Sequence, residues 1–66
     1  MRVLVEGKNG DKIEGTIALK DESFVMLKIR GNMVRVFHWE HINDVKRVFK
    51  GEKQSINLDV FRKTRE

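Results

Sequence analysis

The sequence contains no cysteine, no proline and a single tryptophan, Trp39. Without cysteine the chain can form no disulfide and no thiolate metal site. A domain near this length buries only about 60% of the surface that its unfolded chain exposes. Small folds compensate with disulfides, metals or assembly, so for these 66 residues we expect oligomerisation to contribute stability.

Long apolar runs are also missing. No stretch approaches the roughly 20 apolar residues of a membrane-spanning helix, and no signal-peptide pattern opens the chain. The absence of cysteine fits a reducing compartment. We therefore expect a cytoplasmic protein with no membrane partner.

Charge is abundant and unbalanced. Lysine and arginine number 14 against 10 acidic residues, which gives a net charge of +4, and charged residues make up 36% of the chain. This balance favours a polyanionic partner such as nucleic acid. The alternative is that a modest positive charge only keeps a small domain soluble.

The pattern around which the chain is organised is residues 15–27, GTIALKDESFVML. Apolar residues alternate before the charged break KDES, and a β-rich apolar run follows it, which predicts two strands joined by a short acidic turn. Gly15 falls inside the first of these strands. A glycine there indicates a sharp bend or the close approach of another backbone.

The remaining pattern predicts an all-β fold. Asn9-Gly10 is a hairpin signal, and Arg30–Asn32 marks another turn. The second strand is expected to face inward through Ile13, Gly15, Ile17 and Leu19. A small, strongly bent, five-stranded SH3-like barrel follows from strands at about 1–6, 12–20, 24–29, 33–40 and 45–49, with a tight turn at 41–44.

The tail differs from the rest of the chain. We divide the chain into a barrel, residues 1–49, and a C-terminal extension, residues 50–66. In Ser55–Phe61, alternating Ile56, Leu58 and Val60 predict a sixth edge strand or an arm on a neighbouring subunit. The basic end that follows is expected to be frayed, and no segment shows a sustained helical period.

A family resemblance emerges from the central stretch. The pattern Gly15-x-Ile17-x-x-x-Asp21-x-x-Phe24-Val25-x-Leu27 resembles the first motif of the Sm/Lsm family, and FVMLK at 24–28 is most similar to its bacterial Hfq branch. The resemblance covers about residues 3–48. It implies an Sm-like barrel, a homo-oligomeric ring and single-stranded RNA binding, as in an RNA chaperone or post-transcriptional regulator. It also implies that Asp21 mainly holds its loop.

The sequence departs from the family in three places. The first strand starts too early for the short helix that usually precedes it, so no N-terminal helix is expected. Arg30–Asn32 resembles the family's Arg-Gly pair but follows Asp21 too closely. Trp39 and Glu40 stand where the Hfq branch has Lys-His, although Ile42 matches.

The base-binding positions of the family hold Ser23 and Val25, and Phe24 supplies the aromatic ring if one residue is inserted. Trp39 between two histidines is the best candidate for base stacking, since stacking suits any base. The alternative is that Trp39 packs in the core or on a neighbour. The predicted RNA-binding residues are Asp21, Phe24, Lys28, Arg30, Asn32, Arg35, His38, Trp39 and His41.

Catalytic and metal patterns are weak. His38, Glu40 and His41 form an incomplete ligand set, and we expect no metal and no cofactor. No paired carboxylates, nucleophile triad or phosphate-binding glycine loop occurs, so we expect no enzyme.

Two other functions remain open. One is an SH3-like module that docks a protein on Phe24, Met26, Phe37 and Trp39. The other is a small basic barrel that binds duplex DNA, with a steep dependence on salt. In the RNA-binding case, edge strands four and five of adjacent subunits are expected to pair around a ring.

Overall fold

A computed structural model describes residues 1–63, which form one antiparallel sheet and a short C-terminal helix. The strands follow the order β4-β3-β2-β1-β5-β6 across the sheet. The all-β prediction is confirmed at this level. The elements are β1 (Arg2–Gly7), β2 (Lys12–Lys20), β3 (Phe24–Arg30), β4 (Met33–His38), a 3₁₀ turn (Trp39–His41), β5 (Ile42–Phe49), β6 (Glu52–Ser55) and α1 (Leu58–Lys63).

The sheet is curved around one of its faces. Val3 and Val5 of β1 and Val25 and Leu27 of β3 lie on that face and are 0% exposed, although among residues 1–63 only one short helix is available to cover them. Curvature lets one face of the sheet enclose apolar side chains that a flat single layer would leave in water. The enclosed core consists of Val3, Val5, Val25, Leu27, Phe37, Trp39, Ile42, Val45 and Phe61.

Gly15 lies where the backbone of β3 leaves no room for a side chain on β2. A Cβ atom at this position would stand 2.7 Å from the carbonyl oxygen of Lys28 and 3.3 Å from the Cβ of Leu27. The expectation of a close backbone approach at Gly15 is therefore confirmed.

The inward face of β2 changes after Ile17. The register between β2 and β3 shifts between Ile17 and Leu19, so Leu19 pairs with Met26 and Lys20 pairs with Val25. This irregularity turns Leu19 outward, where it is 48% exposed. The prediction that Leu19 faces inward is wrong, because strict alternation does not survive a bulge.

The turn after β4 comes two residues earlier than predicted. It spans Trp39–His41 rather than 41–44, and β5 therefore begins at Ile42 instead of 45. The backbone N–H of Trp39 donates to the carbonyl of Ser23 at 3.2 Å. This bond fixes the end of β4 against the β2–β3 loop, so the turn starts there.

The tail contains a strand and a helix. β6 pairs with β5 from Phe49↔Glu52 to Lys46↔Ser55, and α1 follows. A sixth edge strand is therefore present, but the predicted position over Ser55–Phe61 is wrong, because α1 occupies most of it. The alternative of an arm on a neighbouring subunit is also wrong, since Phe61 packs in the core of its own chain.

Capping explains the helix. The Asn57 side-chain oxygen accepts the backbone N–H groups of Asp59 at 2.9 Å and Val60 at 3.2 Å. This satisfies two of the donors that a helix leaves unpaired at its start. Phe61 then enters the core, and the Lys20 ammonium donates to its carbonyl oxygen at 2.9 Å. Arg62 and Lys63 belong to the last turn of α1, and the rest of the predicted frayed end lies outside the described residues.

The placement of β6 changes which edges of the sheet are free. β5 pairs with β1 on one side and with β6 on the other. The terminal strands of the sheet are therefore β4 and β6. The expected pairing of β4 with β5 of a neighbouring subunit is blocked in this structure, because both edges of β5 are already paired.

We expect Gly15→Ala to destabilise the protein by about 1–3 kcal/mol, because the added methyl group overpacks the β2–β3 contact. Thr16→Ala, at the exposed neighbouring position, is the control. Urea unfolding followed by Trp39 fluorescence measures both. Equal midpoints for the two variants would contradict the close approach.

Phe61→Ala is expected to cost about 3–5 kcal/mol, because it removes a ring that is only 3% exposed from the core. Val60→Ala, at a position that is 61% exposed, is expected to change stability by less than about 0.5 kcal/mol. The same unfolding assay compares them. Similar small losses would show that α1 does not complete the core.

Candidate nucleic-acid interface

Three rings line up on the surface where β3 begins and β4 ends. Phe24 and His38 lie opposite each other in the β3–β4 pairing, with ring centroids 6.4 Å apart and planes at 73°. His41 follows at 6.1 Å from His38, at 76°. Both histidines are exposed and Phe24 is half-buried. We call Phe24, His38 and His41 the aromatic row, because it offers ring surface to a stacking ligand.

Asp21 positions the first ring of the row. Its side-chain oxygen Oδ1 accepts the backbone N–H groups of Ser23 at 2.8 Å and Phe24 at 3.1 Å. Its carbonyl oxygen accepts the indole N–H of Trp39 at 2.8 Å. Asp21 thus joins the β2–β3 loop to the 3₁₀ turn and contributes to the site as a positioning residue.

A cavity of about 380 Å³ lies beside the aromatic row. The backbone N–H of Lys8 donates to the carbonyl of His41 at 2.8 Å, which holds the β1–β2 loop against the 3₁₀ turn. We call this cavity the loop pocket. It is lined by Gly7, Lys8, Asn9, Asp11, Arg35, Phe37, His38 and His41.

The loop pocket contains two cationic side chains, Lys8 and Arg35, and the ion pair of Arg35 is weak. Arg35 lies 3.6 Å from a carboxylate oxygen of Asp11, and its guanidinium lies 5.3 Å from the Phe37 ring centroid. Exposed ion pairs of this kind contribute only about 0–1 kcal/mol. A phosphate can therefore replace the Asp11 carboxylate at Arg35 at little cost, and an arginine can bind it through two N–H groups.

Three of the predicted residues lie away from the row. Lys28 alternates onto the same face of β3 as Phe24, about 13 Å along the strand at 3.3 Å per residue. Arg30 lies at the end of β3, beyond a register shift between Lys28 and Arg30. Asn32 lies in the turn at the far end of the β3–β4 hairpin. Lys28 can extend the site along the strand, whereas Arg30 and Asn32 are separate from it.

Trp39 does not belong to the exposed surface. It is 4% exposed, and its ring meets the Phe61 ring edge-on at 5.7 Å. The guanidinium of Arg62 lies 5.9 Å from it, and its indole N–H is already bonded to Asp21. The prediction of Trp39 as a stacking platform is corrected by this burial, and the alternative that it packs in the core describes the structure.

Sequence reasoning missed Lys8 and the loop that carries it. Asn9-Gly10 indicated only a hairpin, and nothing local showed that this loop would contact His41 across the sheet. In the sequence, Lys8 is more than a dozen residues from Phe24, the nearest member of the row, so no local pattern connects them. Only the pairing of β1 with β5, which ends at Gly7↔Ile42, brings the two segments together.

A larger cleft of about 970 Å³ lies between the irregular part of β2 and α1. Its charged lining is balanced, which gives it no electrostatic preference for an anion. The charged residues there are Lys20, Arg62 and Lys63 against Asp21, Glu22 and Asp59. The smaller loop pocket is therefore the better candidate for a polyanion.

Comparison with protein-family models, with curated proteins and with solved structures finds no match for this chain. Among residues 1–63, no helix has the length and apolar character to cross a membrane. Within the same residues, no three histidine or acidic side chains are grouped to hold a metal ion. Function is therefore inferred from the aromatic row and the loop pocket.

We expect Asp21→Ala to destabilise the protein by about 1–3 kcal/mol, because two backbone N–H groups lose their acceptor. Asp21→Asn keeps an oxygen at that position and should cost clearly less. Thermal unfolding resolves the difference, since 1 kcal/mol shifts the Tm of so small a domain by about 4–8 °C. Equal losses in the two variants would contradict the positioning role.

Proposed function

We propose that the protein binds single-stranded RNA on the aromatic row and the loop pocket, and that it acts as an Sm-like RNA chaperone or post-transcriptional regulator. The observation that carries the proposal is a row of three rings, two exposed and one half-buried, beside two cationic side chains, Lys8 and Arg35. Binding without catalysis is sufficient for this role, and no cofactor is required.

Several features of the fold support an Sm-like barrel. In the strand order β4-β3-β2-β1-β5, β1 pairs with β5, so the first and the fifth strand of the chain are neighbours, as in a small bent barrel. A single 3₁₀ turn connects β4 to β5. Asp21 holds its loop through backbone hydrogen bonds, which is the structural role that the family resemblance implies.

The chemistry of the row suits unpaired bases. Stacking on a side-chain ring contributes about 1–3 kcal/mol per base and requires a base whose face is free. Bases in a duplex are already stacked on each other and cannot reach the row without unpairing. Lys8 and Arg35 supply the phosphate contacts, which position the strand without reading its sequence.

Self-association is part of the proposal. Copies of a weak site raise affinity through effective concentration without any new contact. A chain of 66 residues without disulfides also gains stability from burying surface in an assembly. The expected ring with β4 against β5 would first require β6 to leave β5, because β6 occupies that edge.

A protein-docking function has less support on the surface that was expected for it. Phe37 and Trp39 are 7% and 4% exposed, so half of that surface is in the core. Duplex DNA binding needs only the positive charge. It differs from RNA binding in that its affinity should not change when rings of the aromatic row are removed.

The proposal is tested by fluorescence anisotropy with labelled oligo-U, oligo-A and a DNA duplex at low and moderate salt. We expect the single strands to bind more tightly than the duplex. The double variant His38→Ala/His41→Ala should lose roughly 1–3 kcal/mol per stacked base. Lys8→Ala/Arg35→Ala, which removes two phosphate contacts, should lower the salt slope for the single strands by about 1.4.

The matched control is Phe49→Ala, an exposed aromatic residue at the far end of β5. It should leave binding unchanged. Equal affinity for all three nucleic acids with no effect of the histidine variant would reduce binding to generic electrostatics. No binding at low salt would reject the proposal.

A further inference from the structure

The two free edges of the sheet differ in chemistry. β4 is six residues long and exposes Met33, Val34 and Val36, which are 62%, 49% and 45% exposed. β6 is four residues long, with the polar sequence EKQS, and is exposed throughout. Short, charged strands are how proteins protect an edge against pairing; β4 is longer than β6 and has one charged residue, Arg35.

An apolar stripe crosses the outer face of the sheet and ends at β4. The register places Leu19 opposite Met26, and Met26 opposite Val36. Leu19 and Val36 are about half exposed and Met26 is half-buried. A partner that pairs with β4 therefore adds a strand beside an uncovered apolar surface, so backbone hydrogen bonds and side-chain burial act together.

We propose that β4 pairs antiparallel with β4 of a second copy about a two-fold axis at Val36, which joins two six-stranded sheets into one. In this register Val36 faces the partner's Val36, and Val34 faces the partner's His38. On the other face, Arg35 lies opposite the partner's Phe37, which is the kind of ring that Arg35 already covers in its own subunit.

A two-fold axis at Arg35 instead of Val36 would also place residues of the same sheet face opposite each other, but it is less favourable. An axis at Arg35 would set two guanidinium groups directly opposite each other, and like charges in that position destabilise a strand pair. The axis at Val36 avoids this clash and joins the two apolar stripes end to end. The opposition of like charges therefore favours the axis at Val36 over the axis at Arg35.

The area required is small. A stable interface buries at least about 1,000 Å² in total, or about 500 Å² from each copy. That is roughly one tenth of the 4910 Å² surface of the chain. On β4 itself, the exposed apolar side chains that contribute to this area are Met33, Val34 and Val36. A head-to-tail ring would instead need the protected edge of β6 as well.

Dimerisation at β4 would also arrange the proposed RNA site in pairs. Because His38 faces the partner's Val34, the two copies of His38 lie four residues apart along the paired strands, or about 13 Å. Both aromatic rows would then lie on the same outer face. This consequence depends on the proposed RNA binding, whereas the dimer itself does not.

Single cysteine variants test the register, because the natural chain contains no cysteine. Directly opposite residues in an antiparallel pair have Cα atoms about 4.5–5.5 Å apart, within the range a disulfide spans. Val36→Cys should therefore crosslink to a dimer under mild oxidation. Val34→Cys and Gln54→Cys should remain monomeric on a non-reducing gel, because their copies are too far apart.

Sedimentation of the natural protein gives an independent readout that needs no substitution. We expect a species of twice 7.8 kDa, or 15.6 kDa. Val36→Lys should convert it to monomer by placing two charges at the axis, and Gln54→Lys on β6 should not. A monomer at all concentrations, a larger assembly, or equal crosslinking of the three cysteine variants would overturn the proposal. These measurements contain no RNA, so they fail or succeed independently of the RNA-binding assay.

Discussion

The structure depends on the way Trp39 leaves the surface at the end of β4. Its indole N–H bonds to the carbonyl of Asp21, and its backbone N–H bonds to that of Ser23. These two bonds join the β2–β3 loop to the 3₁₀ turn and direct the ring into the core. The 3₁₀ turn buries the Trp39 ring, whereas His38 and His41, which flank it in the sequence, are exposed to solvent. One buried side chain therefore fixes both the core and the surface on which we place RNA.

The core is small enough that the C-terminal helix is needed to complete it. Phe61 closes the core against Trp39, and Lys20 lies over the Phe61 ring at 4.5 Å while bonding its carbonyl oxygen. The outward turn of Leu19 at the irregularity in β2 accompanies the inward turn of Lys20. The same local irregularity thus supplies the contact that holds α1 and the exposed residue that begins the apolar stripe.

The sequence predicted those features that depend on neighbouring residues. The first three strands and the Asn9-Gly10 turn follow from alternation and turn chemistry, and Gly15 was identified from its position inside a strand. The failures occur where a longer-range or competing effect decides. Alternation in the tail predicted a strand, but Asn57 caps a helix there. Leu58 and Phe61, three residues apart, lie on the same side of this helix, and both pack on the core. Lys8 was missed because only the β1–β5 pairing brings its loop to His41.

The most direct test of the account is an NMR titration of ¹⁵N-labelled protein with oligo-U, because it locates the ligand without any substitution. The account predicts that the largest shift changes occur at the amides of Lys8, Phe24, His38 and His41. The indole N–H of Trp39 should remain nearly unchanged, since it is bonded inside the core. Changes concentrated at the Trp39 indole and α1, with the aromatic row unaffected, would contradict the central claim that the exposed row binds RNA.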